Sequence, residues 1–164
     1  MMDPDSLFAA LNEAGVDYVV VGGLAANLRG SQRVTKDIDI VYSTEATNLR
    51  KLCAVINAIE PRIIVLGQPE GSGLTLTPQH LKRHPLLQLS TKLGEVDLLS
   101  TIAGFKSYGA IKKASNAVDV DGRSIPMLTL AGVIKSKRVL KRPKDIDDVK
   151  QLEAIAELER INDS

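Results

Sequence analysis

Apolar positions fall along this chain in two rhythms, and the points where one gives way to the other mark its elements. Residues 16–21, "VDYVVV", are β-branched and nearly all apolar, the pattern of a strand buried on both faces, and the paired Gly22-Gly23 break it. Residues 36–42, "KDIDIVY", alternate polar and apolar, the period-2 signature of a strand with one face buried. Helical spacing surrounds these strands. "DPDSLFAALNEAG" reads as a helix with Asp3 as N-cap, Pro4 at its first position and Gly15 as its stop. A short helix over "LAANLRG" ends at Gly30, and a longer one is predicted for residues 45–58.

Further along, "PRIIVLG" is a strand candidate leading into "QPEGSGLTLTPQH", whose Gly, Ser and Pro content predicts a flexible, lid-like stretch. "PLLQLST" and "GEVDLLST" read as two strands joined by a turn at residues 92–94. "AVDVDGRSIPML" reads as a hairpin turning at Asp121-Gly122. The remainder reads as two amphipathic, charged helices parted at Pro143. Strands and helices in this order predict an α/β or α+β fold: a mixed β-sheet with flanking helices over residues 1–128, and a C-terminal helical pair over 129–164 packed on the same domain.

Composition narrows the functional classes. The 164 residues are 44% hydrophobic and 25% charged, an ordinary balance for one self-sufficient core. Aromatic residues make up 3% and Trp is absent, which argues against a base-stacking platform. The 21 basic and 20 acidic side chains leave a net charge of +1, so any nucleic-acid contact must be local. The single Cys53 reads as a small buried apolar residue. With no disulfide partner, no membrane-length apolar run and an acidic N-terminus, the expected home is the cytoplasm, with no membrane partner.

The chemistry concentrates in "RVTKDIDI". Residues two apart on a strand share a face, so Asp37 and Asp39 project together while Ile38 and Ile40 point into the core. Two close carboxylates without a cation raise each other's pKa, and a bound divalent metal reverses that effect. Asp97, polar amid Val96, Leu98 and Leu99, is the candidate third acid, with Glu95 on the same face as its fallback. Gly22-Gly23, at a strand-to-helix turn, offers free backbone N–H groups to a phosphate, and Arg33 and Lys36 could neutralise phosphate oxygens. Spacing alone proves little, because Asp119 and Asp121 repeat it where a hairpin turn accounts for them. His80 and His84 stand four apart but lack an accompanying carboxylate at ligand spacing. Asp145, Asp147 and Asp148 suit the start of the last helix through its dipole, and the basic run from Lys135 to Arg142 suits a solvated helix face.

These residues carry a resemblance. "VVGGLAANLRGSQRVTKDIDI" followed by "EVDLL" resembles the nucleotidyltransferase superfamily with the polymerase-beta type of palm, most closely its small prokaryotic members such as antibiotic nucleotidyltransferases and the AbiEii group of abortive-infection toxins. The resemblance implies transfer of a nucleoside monophosphate from an NTP to a hydroxyl, with two Mg²⁺ ions or Mn²⁺ in their place. On it, Asp37, Asp39 and Asp97 match the metal-binding and catalytic acids, and Asp97 the group that activates the attacking hydroxyl. "KSKRVLKRPKDIDDVKQL" is similar to a basic-acidic stretch of these relatives, so Lys137, Arg142, Lys144 and Asp145 match positions near the nucleotide or bracing the site. The hydroxyl could belong to a small molecule, an RNA or a protein, in a resistance or toxin–antitoxin setting. So short a chain leaves room for a protein partner or a second copy to help recognise the acceptor. Two rival readings are a catalytically silent, antitoxin-like module of the same fold and a metal phosphohydrolase.

Overall fold

A computed structural model describes residues 2–30 and 36–163; the predicted phosphate contact Arg33 lies outside the described residues. Helix α1 (Pro4–Glu13) starts as its sequence dictates: Asp3 accepts a hydrogen bond from the Ser6 backbone N–H at 3.1 Å, and the chain leaves the helix through Gly15 at φ +70°. Strand β1 (Tyr18–Val21) is buried throughout and runs directly into helix α2 (Gly22–Leu28), which therefore begins at Gly22 rather than at Leu24. Strand β2 (Asp37–Tyr42) and helix α3 (Ala46–Asn57) follow.

The middle of the chain holds β3 (Arg62–Val65), β4 (Gln68–Glu70), α4 (Pro78–Arg83), β5 (Leu86–Thr91) and β6 (Gly94–Leu99). Residues 68–80 carry more fixed structure than their Gly, Ser and Pro content predicts. Their first part is an edge strand hydrogen-bonded to β3, and Asn57 then pins the segment by exchanging hydrogen bonds with both the N–H and C=O of Leu76. Helix α4 is capped by Thr77 and His80, whose Nδ1 accepts from the Thr77 backbone N–H at 3.0 Å, so this histidine serves a turn. Helix α5 (Tyr108–Lys113) was not legible in the periodicity, being a little over one turn long.

The hairpin of β7 (Ser115–Val120) and β8 (Arg123–Leu128) turns at Asp121 and Gly122, both at positive φ, and the Asp119 carboxylate accepts from the Gly122 N–H at 2.8 Å. Helices α6 (Leu130–Leu140) and α7 (Pro143–Asn162) pack on one another. Among the described residues no helix is long and apolar enough to cross a membrane.

The eight strands of the described residues form one mixed sheet in the order β4-β3-β5-β6-β2-β1-β8-β7. Strand β2 pairs antiparallel with β1 and parallel with β6, so the sheet's centre joins segments some sixty residues apart in sequence. Ile38 and Ile40 sink completely into one core cluster with Leu7, Phe8, Leu49, Leu52 and Ile56. This leaves the opposite face of β2 to Asp37 and Asp39.

A buried amide ties the sheet's lower edge to α3. Asn48 accepts from the Asp17 N–H at 2.7 Å and donates to the Asp17 and Ser43 carbonyls at 3.0 and 2.8 Å. Replacing it strands the Asp17 N–H and the Ser43 carbonyl, while the Asp17 carbonyl keeps its bond from the Ser43 N–H at 3.1 Å. Asn48→Ala is expected to lower the unfolding free energy by about 2 kcal/mol or more, read from the urea midpoint, because an unpaired buried polar group costs about 1–3 kcal/mol.

Candidate active site

The parallel pairing of β2 with β6 sets Asp39 directly opposite Asp97 and Asp37 opposite Glu95. Paired positions share a face, and carboxylate oxygens of Asp37, Asp39 and Asp97 come within 4.8 Å of one another. Glu95 stays outside that group, so the third acid is the one that the pattern of Val96, Leu98 and Leu99 pointed to. Asp97 is only 9% exposed, while Asp37 and Asp39 are half-buried.

Burial and mutual repulsion act together here. Burial pushes the Asp39 carboxyl up to about 6, helped by the charge of Asp37 and opposed by a hydrogen bond from Asp97 and the charge of Lys137. Burial pushes Asp97 up to about 8, reinforced by the charges of Asp39 and then Asp37. Asp39 Oδ1 is buried and has no hydrogen-bond partner. An acceptor so placed, in a cluster of carboxylate oxygens alone, fits a hard divalent cation such as Mg²⁺ or Mn²⁺. The glycine turn closes in behind: a Cβ on Gly22, at φ +68°, would stand 1.8 Å from Asp39 Oδ2, so only glycine admits the aspartate.

A cationic wall faces the acids across a cavity of about 560 Å³. Lys137 Nζ donates to Asp148 Oδ2 at 2.9 Å and lies 3.9 Å from Asp145 Oδ1. Arg142 forks onto the fully buried Asp145, with Nε–Oδ2 at 2.5 Å and Nη2–Oδ1 at 3.2 Å, and these hydrogen bonds hold Asp145 below the usual carboxylate range despite its burial. Asp145 and Asp148 thus anchor cations, a larger role than the helix-dipole one their positions suggest; Asp145 also sits in the first turn of α7. Lys137, Arg142 and Lys144 line the cavity with Gly22, Gly23, Asp37 and Asp39. Lys36 is exposed at the entrance to β2 and is not part of the lining. Lys137, expected on a solvated face, is instead largely covered.

The cavity has a second wall that the motifs did not reveal. Leu86, Leu99 and Ile102 give it an apolar side, with Leu140 across from the strands. A signal was present in "PLLQLST", where Leu86 falls on the outward phase of the alternation. A larger groove of about 800 Å³ runs along α6 and α7 past the Arg138–Glu153 ion pair, but the acids of the triad do not reach it.

No family model matches this chain, and no curated protein matches it. Solved structures do. The lincosamide antibiotic adenylyltransferase LnuA in its lincomycin-bound form shares 19% identity, over 92% of this chain and 94% of its own, at a TM-score of 0.57. A presumed nucleotidyltransferase from Thermotoga maritima shares 17% over 100% and 97%, at 0.55. ANT(2″)-Ia in complex with adenylyl-2″-tobramycin shares 14% over 96% and 95%, at 0.52. The fold of this chain is therefore that of the nucleotidyltransferases, as the motifs implied, and the match runs nearly end to end.

The sign of the acid pKa shifts predicts an unusual stability profile. Both groups hold their proton more tightly folded than at the unfolded value of 3.8, so the contribution is full below pH 4 and is lost as pH rises through about 6 and about 8. Without divalent metal, the unfolding free energy is expected to fall between about pH 4 and about pH 8, by roughly 1.4 kcal/mol per pH unit for each retained proton, and the melting temperature with it. Asp97→Asn should flatten the decline, and so should added Mg²⁺ or Mn²⁺. A metal-free melting temperature that rises over this range would contradict the clustered geometry.

Proposed function

We propose that this chain is a metal-dependent nucleotidyltransferase that moves a nucleoside monophosphate from an NTP, with ATP the expected donor, to a hydroxyl. The observation that carries this reading is the convergence of three carboxylates on one face of the sheet: Asp37 and Asp39 line one cavity with the glycine turn and three cations, and the buried Asp97 stands directly opposite Asp39. That assembly suits phosphoryl chemistry, in which the protein mainly positions and neutralises groups.

Each residue has a role in it. Backbone N–H groups at Gly22-Gly23, with Lys137, Arg142 and Lys144, receive the triphosphate. Asp37, Asp39 and Asp97 would hold the divalent ions, whose contribution when bound is to offset the charge developing on the transferred phosphoryl oxygens. The acceptor oxygen forms a bond to the α-phosphorus, the bond from that phosphorus to the bridging oxygen breaks, and pyrophosphate leaves. Asp97 takes the hydroxyl proton. In the metal-free site burial, with the charges of Asp39 and Asp37, keeps it protonated to about 8; with those charges offset by divalent ions, its carboxylate is free to accept the proton. Asp148 and Asp145 keep Lys137 and Arg142 in place, so the cations need not reorganise as charge develops. The fold neighbours that act on antibiotics make a small hydroxylated compound the first acceptor class to try.

Asp39→Asn and Asp37→Asn test this directly. Each is expected to reduce transfer from labelled ATP by about a thousandfold or more, equivalent to about 4 kcal/mol of transition-state stabilisation. Their urea midpoints should equal or exceed the native one, since each removes a like charge. Calorimetry with ATP and Mg²⁺ separates an enzyme from a silent module of the same fold: binding that requires Mg²⁺ and Asp39 is the expected result, and no binding at all would rule the reading out.

A further inference from the structure

Cross-strand register lines up four residues in one row: Val21 on β1, Asp39 on β2, Asp97 on β6 and Gln88 on β5. Neighbouring strands lie about 4.8 Å apart, so Gln88 stands one strand beyond Asp97 and two beyond Asp39, on the side away from the Gly22-Gly23 turn. Directly paired residues share a face, so Gln88 looks out over the same surface as both acids. Strand β5 alternates accordingly. Leu87 and Leu89 enter the core, while Leu86 and Gln88 are exposed, and Leu86 pairs with Leu99 beside the cavity.

Direction matters in this reaction. The entering hydroxyl and the departing pyrophosphate lie on opposite sides of the phosphorus, roughly in line. With the phosphates at the glycine turn, the hydroxyl must arrive from the β5 side of Asp97. There it meets the Gln88 amide, two leucines and, diagonally from Gln88, the exposed Glu95. The acids lining the cavity are Asp37, Asp39 and Asp148, and the last of these already accepts from Lys137. The other charges on the walls are the cations Lys137, Arg142 and Lys144. A polycationic acceptor would meet three cations on the cavity walls and, beside Gln88, the single exposed carboxylate of Glu95 for its several charges, whereas an uncharged body would gain apolar contact with the leucines.

Resting on the nucleotidyl-transfer reading, we propose that the surface formed by Leu86, Gln88 and Leu99 is the acceptor subsite, and that it takes an uncharged hydroxyl compound with a partly apolar body. The Gln88 amide hydrogen-bonds a polar group of that compound, and the leucines hold its apolar part.

The test uses the full chain with Mg²⁺ and α,β-methylene ATP, a donor that cannot be cleaved at the reacting bond. Phenyl β-D-glucoside, an uncharged hydroxyl compound, and tobramycin, a polycationic one, are titrated in turn while the NMR signals of the Leu86 and Leu99 methyls and the Gln88 amide are followed. The glucoside is expected to shift these signals at a concentration lower by about tenfold or more, the worth of one good polar or charge contact. Gln88→Glu should erase or invert that preference and leave nucleotide binding unchanged. Three results would overturn the proposal: tobramycin preferred by the native chain, no response of these signals to the glucoside, or a preference untouched in Gln88→Glu. A shift of the same signals by the nucleotide analogue itself would also overturn it, since the nucleotide would then occupy this surface. The Gly22 and Gly23 amides report separately. If they respond to the analogue while the β5 signals ignore the glucoside, only the subsite fails; if they ignore the analogue, the nucleotide reading fails.

Discussion

The parallel pairing of β2 with β6 puts Asp39 and Asp97 side by side, and everything else about the site answers that juxtaposition. Like charges directly opposite one another weaken a sheet, and here a third carboxylate stands on the same face. The arrangement survives because its backbone is held from behind: Ile38, Ile40, Val96 and Leu98, which alternate with the acids, are all completely buried. The hydrophobic face of each strand thus fixes the positions of groups that repel on the other. A proton or a cation must make up the difference, and the buried, unpartnered Asp39 Oδ1 shows that the protein itself does not supply the whole answer.

The cationic wall obeys the same constraint from the other direction. A lysine and an arginine facing an open cavity would ordinarily sample many rotamers. Asp148 and Asp145 remove that freedom, the second while fully buried. A buried acid of this kind contributes little net stability to a fold, because its desolvation offsets its attraction to the cation. Its value lies in fixing where positive charge stands before substrate arrives. The acids of α7 and of the sheet therefore differ: Asp145 and Asp148 each meet a cation of the protein, whereas Asp39 keeps a buried oxygen with no hydrogen-bond partner among the described residues.

Much of this was legible in the sequence, and the reasons are local. Helix α1 is announced by Asp3, Pro4 and Gly15; the β7–β8 hairpin by Asp121-Gly122; the break between α6 and α7 by Pro143. Asp37 and Asp39 share a face by the arithmetic of a strand, and Gly22 is required by a close approach that only its missing Cβ permits. What could not be read depended on register between distant segments. The local pattern singled out Asp97 over Glu95, but nothing local says that it lies directly opposite Asp39, nor that Gln88 lies in the same row. Residues 68–80 looked mobile because Gly, Ser and Pro dominate them, yet Asn57, from a different element, pins Leu76 through two hydrogen bonds. The acids at 145 and 148 suited a helix start, and only their burial against Arg142 and Lys137 reveals the larger part they play.

The two sides of the sheet are unequally covered, which gives the architecture a division of labour. Helix α2 packs against β1, β2 and α6, and α6 carries α7, so the glycine turn and the cations stand on packed helices or at their ends, with Arg142 half exposed at the cavity. Beyond Asp97, strands β5, β3 and β4 keep outward-facing residues exposed. Substitutions on the covered side would disturb the acids, the glycine turn or the ion pairs, and so the chemistry itself. Substitutions on the outer strands would change only what lies beside Asp97. On the proposed reading, a fold built this way can hold one reaction constant while the acceptor changes, because Asp39 and Asp97 stand on β2 and β6 and Gln88 stands one strand further along the same row.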